Sequence, residues 1–568
     1  LLIDTVTGTS LQPLIFANPH LLGLHLYRGQ RQPRLTTLHL SAFVIFAVYN
    51  RPSPSITRRN PTQQRRTHID DKTLLRSTLA LALAAMPAMV AQEAERAGEA
   101  PHFLVVTFPA QGHINPARHL ALRLLSASPG ARVTFSTPVS AFRKMFTDVE
   151  DAEAVDHVDG AGVHYVPYSD GFDGGFDTSA HDISYYMSNL KAAGSRTLGG
   201  VLARLRDAGT PVTQVVYTVM LSWVAAVARA HGVPAAAYWI QPATVLAAYF
   251  HFFRGTDGLD QAVAAAASDP WADVRVRGLP PMRLRDLPSF FTIASDVDHP
   301  YAFVLTAFRE LLDVLDREDT PTVLVNTFDA MEPDAVATLR QHGVDVVPIG
   351  PVLSFLDASA APVNNNNDLF KPDGKGYLEW LDAQEAGSVV YISFGSLSTM
   401  SKRQIAEVAR GMAEIGRPFL WVLRKDNRGE IDGDDSCSGI GSSAGMVVEW
   451  CDQGKVLSHP AVGCFVSHCG WNSTLESVAC GVPVVGMPQW TDQGTNAWLV
   501  ERKLGTGVRA AVSEKDGVLE TDELPRCIGS ATSDVVRAKA ALWREKARAA
   551  AAVGGSSERN LRAFVAGN

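Results

Sequence analysis

Phe103-Leu-Val-Val-Thr-Phe108, followed by Pro109-Ala-Gln-Gly-His-Ile-Asn115-Pro116, is the stretch on which the fold turns. The first six residues are a short apolar run of strand type. The next seven are rich in turn formers, and Asn115 before Pro116 has the chemistry of a helix start, an N-cap followed by a proline at the first helical position. Leu120, Leu122 and Leu125 carry the helix on, and Arg132-Val-Thr-Phe-Ser136 is a second strand. Strand, helix and strand in some thirty residues make a βαβ unit, and repeated units make a doubly wound α/β fold. The alternation continues through Gln214–Tyr217, a helix near Ser222–Ala230, and Ala235–Trp239.

A second series of the same kind opens at Ser388-Val-Val-Tyr-Ile-Ser393. It runs through a helix from Ser401, strands at Phe419–Val422, Met446–Val448 and Cys464–Ser467, a helix from Asn472, a strand at Val484–Gly486 and a helix from Gln493. A long Ala/Arg-rich helix, roughly Ser533–Val553, closes the chain. Between the series lies Ala358–Gly376, with the polar run Asn364-Asn-Asn-Asn367, which reads as a linker. The expected organisation is an acceptor-side domain over 99–350, a linker over 351–380, a second domain over 381–545 and a tail over 546–568 that packs back on the first domain. Two such domains leave a cleft at the carboxyl ends of their strands, where nucleotides bind.

Composition narrows the partners. Of 568 residues, 46% are hydrophobic and 19% charged, and the net charge is −8, which argues against nucleic acid. The six cysteines form no CxxC pair, so neither a disulfide framework nor a zinc site is expected, and a reducing, cytoplasmic setting is. Residues 1–90 differ from the rest, with ten Lys/Arg against three Asp/Glu and no strand–helix alternation. Their apolar runs, Leu40–Val48 and Leu79–Val90, are too short to span a bilayer, so no stable membrane insertion is expected. The first methionine is Met86. Residues 1–98 therefore read as an unpacked extension, either an organelle leader or upstream sequence translated in error.

Two short motifs mislead. Gly439-Ile-Gly-Ser-Ser-Ala444 matches a dinucleotide fingerprint but follows the acidic, Ser-rich Asp432–Ser438, not a strand, so it fails the context that gives the motif its meaning. Asn472-Ser-Thr474 spells a glycosylation sequon at a predicted active-site helix start, where a glycan has no place.

The chemistry concentrates in Trp450-Cys-Asp-Gln453, Phe465-Val-Ser-His468-Cys-Gly470-Trp471-Asn472-Ser473-Thr-Leu-Glu476 and Pro488-Gln-Trp-Thr-Asp492-Gln493. A strand ending at Ser467 feeds a helix through a glycine turn. That helix terminus offers free N–H groups, with His468, Asn472 and Ser473 beside them, which suits a diphosphate. Glu476, one turn in, can grip a ribose diol, Trp450 offers a flat face to a base, and Asp492 and Gln493 are placed for sugar hydroxyls. Each piece alone has an ordinary explanation, in the core or as a helix-dipole partner.

Together, the 44 residues of Trp450–Gln493 resemble the signature box of plant secondary-product UDP-glycosyltransferases, family 1 of the inverting glycosyltransferases. The resemblance runs from about His102 to Val565 and includes Tyr168-Ser-Asp-Gly-Phe172, Trp239-Ile-Gln-Pro-Ala-Thr244, Asp286-Leu-Pro-Ser289, Val325-Asn-Thr-Phe328 and Ser393-Phe-Gly-Ser396. It is closest to the subgroup of anthocyanin 5-O-glucosyltransferases and of enzymes forming glucose esters of indole-acetate and abscisate. The resemblance implies a GT-B fold of two facing Rossmann-like domains, with UDP-glucose as co-substrate, no cofactor and no metal. It implies that Trp450 stacks the uracil, Gln453 lies by the ribose and Glu476 holds its hydroxyls. His468, Asn472, Ser473 and Ser396 hold the diphosphate around the Gly470 turn, and Trp471, Asp492 and Gln493 meet the sugar. Gln493 resembles glucose users.

The same resemblance makes His113, in the loop after the first strand, the general base, an apt role for a group titrating near neutrality. Many relatives set an aspartate behind this histidine; here Thr218 stands at that position, a possible partner without charge. A non-catalytic binder of UDP-sugar or of a hydrophobic ligand is the alternative that Thr218 raises. The acceptor is expected to be small and hydrophobic, a phenol or a carboxylate, held by Phe172, Tyr185, Tyr186, Trp239, Tyr249 and Phe252. The protein is expected to act as a monomer.

Overall fold

The computed structural model describes residues 100–146, 156–177, 182–266, 269–296, 298–356, 369, 376–428, 445–513 and 515–567. The expectations for residues 1–98, the Asn run and residues 439–444 lie outside them.

Continuous apolar runs become strands buried on both faces, as parallel sheets require. In the first sheet, β1 (His102–Val106) pairs with β2 (Arg132–Ser136) on one side and β5 (Gln214–Thr218) on the other, all parallel. Outward from these run β3 (His157–Val158) and β4 (His164–Tyr165) at one edge, and β6 (Ala235–Trp239), β9 (Thr322–Val325) and β10 (Asp345–Pro348) at the other. Only the β3–β4 pair in this sheet is antiparallel. A separate two-stranded ribbon joins β7 (Asp273–Val274) to β8 (Met282–Arg283). The second sheet has the order β13 (Gly445–Val448), β12 (Phe419–Val422), β11 (Val389–Ser393), β14 (Val462–Ser467), β15 (Val484–Gly486), β16 (Gly507–Arg509), parallel throughout.

Each sheet reverses its winding at one place, where the loops leaving adjacent strands diverge and open a crevice. In the first sheet this is β1 beside β5, and in the second β11 beside β14. The loops that follow these four strands carry most of the residues expected to act.

Three sequence expectations need correction. Helix α1 is Gln111–Ala127, so it starts four residues before the expected Asn115 cap and takes Pro116 inside. Pro116 lacks the N–H that would bond the Gly112 carbonyl. That carbonyl instead accepts the Asn472 side-chain amide at 3.1 Å, from the other domain, so the proline leaves no acceptor stranded. The linker ends earlier than 380, because Gly376, with φ of 60°, caps a helix over Tyr377–Asp382. The boundary at 545/546 falls inside an unbroken helix, Asp534–Ala551, which has no breaker there. The chain turns only at Gly554-Gly555, where an added Cβ on Gly555 would come within 2.3 Å of the Ala549 carbonyl.

A final helix, Ser556–Ala566, then lies on the first domain. Asn560 donates to the Pro348 carbonyl at 2.8 Å, Arg562 to that of Ala127 at 3.1 Å, and Ser557 bonds the Gly350 carbonyl. No helix among the described residues is long and apolar enough to cross a membrane.

Candidate active site

The crevices of the two sheets merge into one cavity of about 1550 Å³ between the domains. Its donor-side wall holds Ser396, Trp450, Gln453, His468, Gly470, Trp471, Asn472, Ser473, Glu476, Asp492 and Gln493, and its opposite wall holds His113. Every residue expected to meet the donor or to act as base lines this space, and Thr218 lies behind it.

The donor-side wall is built from the four segments that follow β11, β13, β14 and β15. After β14, Gly470 leads into helix α2 (Trp471–Cys480), whose N-cap has no side-chain bond and whose first-turn N–H groups face the cavity mouth. His468 sits between two glycines: a Cβ on Gly395 would lie 2.6 Å from its Nε2, and one on Gly470 2.5 Å. Burial lowers the His468 pKa to about 4, so its imidazole is neutral. Gly395 also holds φ of 74°, a conformation open to glycine. The Arg424 guanidinium fixes the loop around Ser396 by donating to the carbonyls of Gly395 at 2.6 Å and Ser398 at 2.9 Å. Gly395 and Arg424 were not singled out in the sequence, although Gly395 stands beside Ser396 in a loop after a strand.

Gln453, Ser473 and Glu476 form one network. The Gln453 amide donates to Ser473 Oγ at 2.7 Å and to Glu476 Oε2 at 2.6 Å, and Tyr391 O–H donates to Gln453 Oε1 at 3.1 Å. Tyr391, from β11, is a member the sequence reading missed. Glu476 is thus oriented by an amide from a separate helix, Gln453–Ser458.

At the sugar end, Asp492 is buried, accepts from Thr491 Oγ1 at 2.7 Å and Asn496 at 2.8 Å, and is pushed up in pKa by burial. Gln493 Oε1 accepts the N–H groups of Gln489 and Trp490, which leaves its amide nitrogen as the donor available to a ligand. Trp471 departs from its expected role in part: its indole N–H donates to the Asn326 carbonyl at 2.8 Å, so its polar atom ties the domains together. Asn472 likewise spends its amide on Gly112.

His113 lies in the first turn of α1, not in a loop. Desolvation lowers its pKa to about 4, so it is unprotonated at neutral pH. Its Nδ1 is 3.4 Å from Thr218 Oγ1 at the end of β5. The two meet because β1 and β5 are neighbours, which brings together residues 105 apart in sequence.

The expected acceptor aromatics are not the ones in the cavity. Trp239 and Tyr249 are each 1% exposed, and Phe252 stacks on Phe291 with ring centroids 4.3 Å apart, all inside the first domain's core. Trp239 ends a central strand, where both faces are buried. The cavity wall is instead Phe108, Val219, Ile240, Phe290, Tyr301 and Phe308. Tyr301 reaches across to Trp490 of the other domain, with ring centroids 5.0 Å apart.

The family model described as UDP-glucoronosyl and UDP-glucosyl transferase matches residues 351–520. UDP-glycosyltransferase 75C1 of Solanum lycopersicum is 46% identical over 473 residues, which is 82% of this chain and 98% of that protein. Crocetin glucosyltransferase, chloroplastic, of Gardenia jasminoides is 44% identical over 82% of this chain and 96% of that protein. Anthocyanidin 3-O-glucoside 5-O-glucosyltransferase 1 of Perilla frutescens is 43% identical over 81% and 97%. Among solved structures, Os79 from O. sativa in complex with UDP superposes with a TM-score of 0.70 at 32% identity, covering 82% of this chain and 99% of that one. Two of these relatives are named as glucosyltransferases, and the non-catalytic alternative falls away. With a GT-B pair of α/β domains, a complete donor wall and relatives matched along almost their whole length, this chain belongs to the plant family 1 UDP-glycosyltransferases and is a UDP-glucosyltransferase.

Proposed function

We propose that His113 is the base of an inverting transfer in which glucose moves from UDP-glucose to an acidic phenol or a carboxylate of a small apolar acceptor. The observation that carries this reading is the shared cavity, with a neutral imidazole on one wall and, on the other, the polar residues and helix terminus suited to a diphosphate. The acceptor oxygen attacks C1 of the sugar, its proton passes to His113 Nε2, and the bond from C1 to the UDP oxygen breaks on the opposite face. Charge develops on the departing UDP, where the α2 terminus and His468 donate hydrogen bonds, so this reading needs no metal and no cofactor.

The preference for acidic acceptors follows from the base. Thr218 carries no charge to stabilise an imidazolium, and a histidine with a pKa near 4 is a weak base. A carboxylic acid, with a pKa of about 4, is already ionised at neutral pH; a phenol, at about 10, needs help, and an aliphatic alcohol needs more. Cavity walls of Phe108, Ile240, Phe290 and Phe308 suit an apolar, aromatic body. Relatives are named for crocetin, phloretin and an anthocyanidin glucoside, which makes these the first acceptors to assay. We read the enzyme as a cytoplasmic monomer; Cys464, Cys469, Cys480 and Cys527 form no disulfide, as a reducing setting favours, although one relative is named as chloroplastic.

Turnover of an acceptor panel, read by mass, tests the acceptor class. His113→Ala is expected to lower transfer to hydroxyl acceptors by a factor of about 100 or more while UDP binding is kept. Near-normal turnover by that variant removes His113 from the mechanism.

A further inference from the structure

For His113 to take a proton at Nε2, its own proton must sit on Nδ1, and something must accept a hydrogen bond from Nδ1. A carboxylate can only accept. Thr218 is a hydroxyl and can do either, so its presence alone leaves the tautomer open. If Thr218 donated to Nδ1, the proton would sit on Nε2 and the base would be blocked.

The surroundings of Thr218 offer its proton a second acceptor. Its Oγ1 accepts the Phe108 backbone N–H at 3.2 Å and lies 3.5 Å from Thr107 Oγ1, a hydroxyl that can receive the proton in place of His113. Thr107 Oγ1 in turn donates to the Phe108 carbonyl at 3.4 Å, so its lone pairs are free to receive the Thr218 proton. Both threonines are 0% exposed, which removes water as a competing partner. With its one proton directed to Thr107, Thr218 has a lone pair left for His113 Nδ1–H, at 3.4 Å. The proton count then closes: Nδ1 to Thr218, Thr218 to Thr107, Thr107 to the Phe108 carbonyl.

We propose that Thr107 is a positioning residue that sets the tautomer of His113 through Thr218, a two-hydroxyl relay standing where a carboxylate would act directly. This rests on His113 being the base. Thr107 is in the loop after β1 and is not among the residues lining the cavity; its hydroxyl meets Thr218 and the Phe108 carbonyl.

The test is nitrogen NMR of His113 in the wild-type protein and in Thr107→Val, with turnover of a phenolic acceptor measured alongside. The wild type is expected to carry its proton on Nδ1. In Thr107→Val the Thr218 proton loses the Thr107 oxygen, and His113 Nδ1, at 3.4 Å, is the acceptor at hand, so the His113 proton is expected to move to Nε2 and kcat to fall about tenfold or more, with KM for UDP-glucose unchanged. Thr107→Ser is expected to restore both tautomer and rate. A wild-type proton on Nε2 overturns the relay even if the valine variant fails to fold, and so does a valine variant with the wild-type tautomer and rate. Failure of the base assignment is seen separately, as turnover surviving in His113→Ala.

Discussion

Replacing Thr218 by aspartate asks how much the missing charge matters. A carboxylate at the hydroxyl's position, 3.4 Å from His113 Nδ1, attracts an imidazolium by about 5 kcal/mol at an effective dielectric constant of about 20. At about 1.4 kcal/mol per pKa unit that is more than three units, but the new carboxylate is itself buried and its desolvation removes part of the gain. Two donors already face that position, the Phe108 N–H and His113 Nδ1–H, and the Thr107 hydroxyl becomes a third once its proton turns from the Phe108 carbonyl. A net rise of about one to three units is expected, from about 4 to between about 5 and 7. The base must be neutral to act, so the wild-type acid limb of kcat/KM lies near pH 4, activity is flat above it, and the variant's limb moves up with the new pKa. Above both limbs, aliphatic alcohols and phenols should gain about tenfold in kcat from the stronger base, whereas carboxylates, which need no base and meet an added negative charge, should gain nothing. His113 titration by NMR and kinetics on an alcohol and a carboxylic acid of one skeleton are the measurements. A folded variant whose His113 pKa rises while the alcohol-to-carboxylate ratio stays put refutes the link between base strength and acceptor choice.

Gly395→Ala should weaken UDP binding at least tenfold, because the added methyl lies 2.6 Å from His468 Nε2 and φ of 74° costs a non-glycine residue about 1–2 kcal/mol; calorimetry with UDP reads it, and an unchanged Kd shows the loop can yield. Gln493, held by two backbone N–H groups so that its amide nitrogen is its available donor, is expected to select UDP-glucose over UDP-galactose in kcat/KM, and the reverse ratio would show that other residues choose the sugar.

The strands at the centres of both sheets were legible because a parallel strand buried on both faces must be apolar throughout, and Phe103–Val106, Val215–Tyr217 and Val389–Ile392 are. Two-residue strands such as β3 and β4 carry too few residues for any periodicity to register. The donor residues were legible as types at a spacing, since an anion site at a helix terminus needs small and polar groups in a fixed order. Their partners were not. Tyr391 meets Gln453 across 62 residues, and Thr218 meets Thr107 across 111, only because β11 lies beside β14 and β1 beside β5. The acceptor wall failed for a related reason. Aromatic residues on a strand or helix say that something apolar is adjacent, and for Trp239 and Tyr249 that neighbour is the domain's own core.

Pro116 is the clearest case of a local rule giving way to a long-range one. Read alone, Asn-Pro marks a helix start, which would have left His113 on a loop. In the folded chain the helix begins at Gln111, and the hydrogen bond that Pro116 cannot make is supplied by Asn472, in the first turn of the donor-side helix. His113, the proposed base, and Asn472 and Ser473, proposed to hold the diphosphate, therefore stand in the first turns of two helices joined by a bond that a standard α-helical residue at 116 would have competed for. A base must meet the acceptor oxygen while that oxygen meets C1, so its usefulness depends on the separation of the two domains as much as on its own pKa. By freeing the Gly112 carbonyl, Pro116 lets the first domain's base helix take its position from the donor-side helix, together with the Trp471 bond to Asn326 and the Thr491 bond to Ser289 Oγ at 2.8 Å.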